Sequence, residues 1–224
     1  MNPRDLRQKI DHTLLKADAT ESALRQLCQE AREYGFFSVC VNPRWLPLAA
    51  ELVKGSDTCA ITVVGFPLGA SSSKSKAFEA ADAIKKGAAE IDMVLDLGSA
   101  KSGLWKIAQD DIYEVVRASG EKKVKVILET CYLSDDEIRR ACAASVEAGA
   151  QFVKTSTGFG PSGATAHHIR LMRECVGPKI GVKASGGIRD YSTARALIEA
   201  GANRLGCSAS IAIVEAKEGG GHGY

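Results

Sequence analysis

The sequence predicts an α/β protein built as a single-domain (β/α)8 TIM barrel, and three observations carry that prediction. Short apolar, β-branched runs begin near Ile10, Phe37, Ala60, Ile91, Lys125, Phe152, Ile180 and Arg204, each followed by a helix-length amphipathic stretch. Successive starts lie 27, 23, 31, 34, 27, 28 and 24 residues apart, which leaves no gap for a second domain or a long linker. Eight such units with apolar residues on both faces of the strands imply a parallel sheet, and eight is the number that closes this barrel. A doubly wound open sheet is the alternative. Against it, the first strand runs into Asp11-His12-Thr13-Leu14-Leu15, with no Gly-rich dinucleotide turn.

The punctuation along the chain supports each unit in turn. Helices are expected to close at Gly35, Gly55, Gly87, Gly120, Gly149 and Gly201, because a helix end often needs the left-handed conformation that glycine adopts freely. Asn42-Pro43 starts the second helix, and Ser134-Asp135-Asp136-Glu137 is a capping-box signature ahead of the fifth. A Gly-Ala-x phrase precedes three strands: Gly87-Ala88-Ala89, Gly149-Ala150-Gln151 and Gly201-Ala202-Asn203. The barrel domain is assigned to residues 1–218 and a Gly-rich C-terminal tail to residues 219–224.

Composition narrows the function. With 224 residues, 45% of them hydrophobic, the chain can bury one sizeable core. Lys and Arg number 29 against 27 Asp and Glu, a net charge of +2, so no polyanion-sized field surrounds the molecule and nucleic acid is not expected as a partner. Apolar runs such as Ile61 to Gly69 are too short for a membrane helix, and the polar start lacks a signal-peptide h-region, so a cytoplasmic protein is expected. The seven cysteines form no C-x-x-C pair and read as reduced, mostly buried thiols. The four histidines offer no ligand set, since the adjacent His167 and His168 point about 100° apart on a helix. Neither a metal nor another cofactor is expected.

In such a barrel the reacting groups sit at the C-terminal ends of strands, so polar residues inside the strand runs stand out. Lys154 lies in Phe152-Val153-Lys154-Thr155, Lys183 in Gly181-Val182-Lys183-Ala184, and Asp92 in Glu90-Ile91-Asp92-Met93-Val94. A single strand lysine is commonly a snorkelling surface residue. Two on neighbouring strands, about 4.8 Å apart, would repel. At about 4 Å and an effective dielectric near 20 that repulsion is roughly 4 kcal/mol, or about three pK units, enough to leave one amine substantially neutral near pH 7. A neutral amine attacks carbonyls, and the Schiff base it forms is an electron sink for carbon–carbon cleavage, with Asp92 moving protons. Ser185-Gly186-Gly187-Ile188-Arg189 and Gly206-Cys207-Ser208-Ala209-Ser210 follow strands seven and eight, the usual phosphate cradle of such barrels.

These segments, together with Ile10-Asp11-His12-Thr13-Leu14-Leu15, Val39-Cys40-Val41-Asn42-Pro43, Val64-Gly65-Phe66-Pro67-Leu68-Gly69 and Lys154-Thr155-Ser156-Thr157-Gly158, resemble the deoxyribose-phosphate aldolase family over nearly the whole chain. The resemblance implies a class I aldolase that reversibly cleaves 2-deoxy-D-ribose 5-phosphate to acetaldehyde and D-glyceraldehyde 3-phosphate in deoxynucleoside breakdown. It implies that Lys154 forms the Schiff base, Lys183 tunes it, Asp92 donates and accepts protons, and Asp11 supports that network. Gly158, Gly186, Gly187, Gly206 and Ser208 match phosphate-loop positions, and Thr157 a substrate-contact position. Phe159 stands where some members have lysine, and Arg189 is a candidate to compensate. Tyr224 matches a mobile C-terminal tyrosine that assists proton transfer in some members; a frayed end is the other reading of this tail. Cys40 and Cys207 fall near strand ends and read as packing residues. A homodimer or homotetramer is implied. Two rivals stay open: a Schiff-base aldolase acting on a phosphorylated ketose, and a non-catalytic phosphosugar-binding barrel.

Overall fold

The computed structural model describes residues 2–216, and in it eight parallel strands close on themselves in chain order. They are β1 (Ile10–Leu14), β2 (Ser38–Val41), β3 (Cys59–Val64), β4 (Glu90–Val94), β5 (Lys123–Ile127), β6 (Phe152–Lys154), β7 (Gly181–Ser185) and β8 (Arg204–Cys207). Closure is made by β8 against β1, with Ile10 opposite Leu205 and His12 opposite Cys207. Every strand begins within two residues of the position expected from the apolar runs.

The helices are α1 (Glu21–Tyr34), α2 (Leu46–Val53), α3 (Ser73–Lys85), α4 (Leu97–Lys101), α5 (Trp105–Ser119), α6 (Asp135–Glu147), α7 (Ala166–Val176), α8 (Tyr191–Glu199) and α9 (Ser210–Val214). The glycines expected to end helices all have positive φ, and Gly35 closes α1 in the left-handed region at φ 66°, ψ 44°, where a Cβ would be strained. The capping box at Ser134 and Glu137 forms with both reciprocal bonds. Asn42 departs from expectation. Pro43–Trp45 is a 3-10 turn, α2 starts at Leu46, and the Asn42 side chain does not cap; its amide donates instead to the carbonyls of Leu15 and Lys16, tying β2 to the loop after β1. Four short elements exceed the plain βα repeat: α4 and the 3-10 segments Pro43–Trp45, Thr130–Tyr132 and Pro3–Lys9, the last of which precedes β1 with Leu6 buried.

The main core lies between strands and helices, where Ile91, Val124, Val126, Val153, Val182 and Leu205 alternate outward along their strands. Inside the barrel the expectation of apolar strand faces holds only on one side. Leu15, Cys40, Ile61 and Val63, with Phe66 packed against them, form a separate apolar cluster beside β1–β3. On β1 and β4–β8 the inward positions include seven buried charged residues: Asp11, Glu90, Asp92, Lys125, Lys154, Lys183 and Arg204. A period-2 pattern cannot separate an inward charge from a surface one, because both interrupt an apolar run equally.

One further buried pair supports the mouth of the barrel from outside. Lys76 on α3 donates to Asp111 on α5 at 2.7 Å and to the carbonyl of Val94, the last residue of β4, at 3.0 Å. Both side chains are almost fully enclosed. Removing one partner leaves the other charge buried and alone. Asp111→Ala is therefore expected to lower the unfolding free energy by about 3–5 kcal/mol in chemical denaturation, and Lys76→Met combined with Asp111→Leu to recover most of that loss.

Candidate active site

The strand register places the site. Lys154 lies directly opposite Lys183 on the next strand, Asp92 opposite Lys125, and Lys183 opposite Arg204. Lys154 and Lys183 both donate to one oxygen of Asp92, at 2.8 and 2.7 Å. Lys183 also meets Asp11 at 2.5 Å, and Lys125 meets Asp92 at 2.9 Å and Glu90 at 2.5 Å. Arg204 joins Asp11 at 2.9 Å to Glu90 at 3.2 Å. Six of these groups close a ring of alternating charge, Asp92–Lys125–Glu90–Arg204–Asp11–Lys183, and Lys154 hangs from Asp92 as a seventh.

Counting charge over all seven groups identifies the odd one. Four basic side chains face three carboxylates, with exposed Lys123 reaching Glu90 only at 4.0 Å. Lys125, Lys183 and Arg204 each touch two carboxylates, whereas Lys154 touches one. Burial pushes the Lys154 amine below the ordinary lysine range; Asp92 opposes the shift and Lys183 adds to it. Burial also works against the Lys183 ammonium, but Asp11 and Asp92 together outweigh it and hold its pKa above the ordinary value. Asp92 and Asp11 resist burial in the same way and stay ionised far down the pH scale, Asp92 through its three lysines and Asp11 chiefly through Lys183 and Arg204. The amine pair expected from the sequence is present, but a shared carboxylate lies between the two amines. Their inequality arises from the number of acids each touches, not from bare repulsion alone.

Around this centre the loops at the carboxyl ends of β6, β7 and β8 converge. The backbone N–H of Ala164 donates to the carbonyls of Ser185 and Gly186, and a Cβ on Gly186 would meet the Cα of Gly163 at 2.9 Å and that of Gly158 at 3.6 Å. Gly163 and Gly186 therefore meet at a junction that side chains would force apart, and Gly158 lies beside it in ordinary contact. Gly187 is exposed, as are Ser208 and Arg189. Gly206 has a packing reason of its own: a Cβ there would lie 3.0 Å from Cε of Lys183. Thr157 is buried, with its hydroxyl donating to Glu129 and accepting from the N–H of Phe159, so it organises the β6 loop. Phe159 meets Phe66 edge to face across the mouth at 5.4 Å. Cys40 is fully buried, and burial pushes its thiol up to about 11; burial raises the Cys207 thiol as well. Tyr224 lies outside the described residues.

Sequence reasoning passed over several groups. Lys125 has the same strand setting as Lys154, and that pattern was the available signal. Glu90 and Arg204 open their strands and read as rim residues. Glu129 is buried after β5 at φ 52°, a left-handed conformation uncommon for a residue with a Cβ. Ser156 is buried beside Gly186, and its hydroxyl has no hydrogen-bond partner among the described residues. Away from the mouth, Asp135 on α6 reaches His167 at 2.9 Å, and ligand-type atoms of Asp135, His167 and His168 lie within 4.8 Å of one another. Asp135 bonds His167 alone, and Nδ1 of His168 has no hydrogen-bond partner among the described residues.

Fold and site together define a closed (β/α)8 barrel with a buried lysine of lowered basicity among carboxylates at its centre. The model of the DeoC/LacD family aldolases matches residues 6–213, and the chain belongs to that family. It is 57% identical over 214 residues to the deoxyribose-phosphate aldolase of Caldanaerobacter subterraneus, covering 94% of this chain and 93% of the relative. It is 56% identical over 220 residues to that of Brevibacillus brevis, covering 98% and 100%. Among solved structures, a putative deoxyribose-phosphate aldolase from Coccidioides immitis superposes with TM-score 0.93 at 39% identity, over 96% of this chain and 86% of that one. The tetrameric deoxyribose phosphate aldolase of Aeropyrum pernix gives 0.88 at 32% identity, over 96% and 91%.

Charge balance predicts opposite responses in two variants. Lys183→Leu removes a positive neighbour and leaves the shared Asp92 oxygen to Lys154 alone, so the pH at which that amine becomes reactive should rise by about one unit or more. Glu90→Gln removes a negative charge and should lower it by about half a unit. Reductive trapping with an aldehyde and borohydride across a pH series reads both.

Proposed function

We propose that the chain catalyses reversible aldol cleavage of 2-deoxy-D-ribose 5-phosphate to acetaldehyde and D-glyceraldehyde 3-phosphate through a Schiff base on Lys154. The observation that carries this reading is the buried Lys154 amine, the one basic group of the ring with a single carboxylate partner. Its neutral form attacks the C1 aldehyde, and the carbinolamine loses water to give a protonated imine. Asp92, 2.8 Å from the amine, is the base that takes up protons and returns them. Removing the proton from the C3 hydroxyl lets the C2–C3 bond break. The C3 end leaves as the aldehyde of glyceraldehyde 3-phosphate, and the bond electrons pass into the C1 imine to give an enamine. Protonation at C2 and hydrolysis release acetaldehyde and restore Lys154. Lys183 remains an ammonium, and its charge lowers the basicity of the Lys154 amine and so favours the neutral form that attacks, while Asp11 holds Lys183 in place.

The phosphate is assigned to the junction of Gly158, Gly186 and Gly187 and to Gly206 and Ser208 after β8, with Thr157 setting the β6 loop. The unpartnered Ser156 hydroxyl beside Gly186 supports a ligand there. Arg189 is the exposed cation of the β7 loop. The activity is read as cytoplasmic and as that of a homodimer or homotetramer, with residues 1–218 as the catalytic domain. The tetrameric relative supports the assembly, and no helix among the described residues is long and apolar enough to cross a membrane. The reaction draws on side chains of this chain alone.

Borohydride trapping with 2-deoxyribose 5-phosphate, followed by peptide mass mapping, should place the adduct on Lys154; an adduct elsewhere overturns the mechanism. Unphosphorylated deoxyribose run beside it should trap more slowly at equal concentration, and a phosphorylated ketose should not be cleaved. Deleting Tyr224 should leave trapping intact and slow proton exchange on the bound enamine. Equal exchange rates would return the tail to a frayed end.

A further inference from the structure

His12 follows Asp11 on β1 and, by strand alternation, turns to the opposite face, away from the charge ring. Its imidazole is buried between two elements. Nε2 lies 2.9 Å from Glu30 on α1, and Nδ1 lies 2.9 Å from the hydroxyl of Ser210, the first residue of α9. The ring packs on Phe36 at 5.1 Å. Ser210 is fully buried, and its hydroxyl also donates to the carbonyl of Cys207 at 3.0 Å, spanning the turn Cys207-Ser208-Ala209-Ser210.

Counting hydrogens in this chain of bonds fixes its state. Both oxygens of Glu30 accept, one from His12 and the other from the amide of Gln26 at 2.8 Å, so Nε2 supplies a hydrogen. If the Ser210 hydrogen goes to Cys207, Nδ1 must supply one too. All the bonds are made at once only when His12 is an imidazolium. When one proton is lost, the Ser210 hydroxyl must turn back to Nδ1 and the Cys207 carbonyl loses its bond. The charged groups facing His12 are Glu30 from α1, with Lys16 and Asp18 from the loop after β1 lining the same cavity of about 440 Å³; β8 and α9 contribute Cys207, Ser208 and Ser210.

We propose that His12 is a positioning residue for the phosphate end of the substrate: as an imidazolium clamped by Glu30, it locks the β8 turn that presents Ser208. This rests on the reading above that the β8 turn holds the phosphate. It assigns that grip to a side chain outside the catalytic ring.

The test uses the full chain with His12→Gln and Ser210→Ala, measuring kcat and KM for 2-deoxyribose 5-phosphate and for 2-deoxyribose across a pH series. In the unsubstituted chain, KM for the phosphorylated sugar should rise about fivefold from acid to alkaline pH, the factor that one net hydrogen bond confers. In His12→Gln it should already be about fivefold higher at acid pH and should not rise further by this step, while turnover of unphosphorylated deoxyribose is retained. Ser210→Ala, which removes a single hydroxyl, should reproduce the effect. An unchanged KM ratio and pH profile in both variants would overturn the proposal, as would an equal loss of turnover on both sugars. An unsubstituted chain that shows no preference for the phosphorylated sugar would instead overturn the phosphate assignment itself, and this role with it.

Discussion

Electroneutrality inside a closed barrel is the constraint on which the rest depends. Seven ionisable side chains are enclosed where water cannot screen them, and each charge must be answered by a neighbour within hydrogen-bonding distance. The sequence meets this by alternating sign around the ring on β1, β4, β5, β7 and β8. It leaves one amine with the fewest acids. The most easily deprotonated lysine is therefore chosen by the arithmetic of the enclosure and not by any peculiarity of its own backbone position, since Lys154 and Lys183 are register partners on adjacent strands.

The same enclosure explains the company the ring keeps. Apolar residues occupy the β2–β3 side, where no charge could be answered, and Gly206 leaves the space that the Lys183 side chain needs to reach Asp92. Outside the strands, Lys76 and Asp111 fix the end of β4, and with it the strand that bears Asp92. Positional accuracy at the amine thus comes from rigid strands and buried pairs, while the loops at the carboxyl end are free to shape the substrate's other end.

Much of this was legible beforehand. Strand starts, helix-ending glycines and the Ser134 capping box could be read because their causes are local: periodicity, left-handed φ and reciprocal side-chain bonds. Lys154, Lys183 and Asp92 were legible because charges inside strand runs are conspicuous. The rest of the ring was not. Glu90 and Arg204 are 114 residues apart and meet only because the barrel closes, and at the starts of their strands they look like solvent-facing rim. Asn42 has the identity of a helix cap, but a competing bond to the β1 loop wins. Glu129 and His12 became visible only once their partners, Thr157 and Ser210, were placed in space.

The floor of the barrel gives a last consequence. Arg204 stacks its guanidinium on the ring of Phe37 at 3.4 Å and lies 5.5 Å from that of Phe152, and the Phe37 N–H donates to the carbonyl of Arg7 in the Pro3–Lys9 segment. Such a plug makes the interior a blind well. Traffic runs through one door, so whatever is attached to Lys154 at depth waits behind whatever is held at the rim. On the proposed assignment of the Schiff base to Lys154 and of the phosphate to the rim, the phosphorylated fragment clears the doorway before the smaller one follows, and in the synthetic direction the small aldehyde arrives first. An ordered sequence of entry and exit then follows from the shape of the vessel, without a moving part to enforce it.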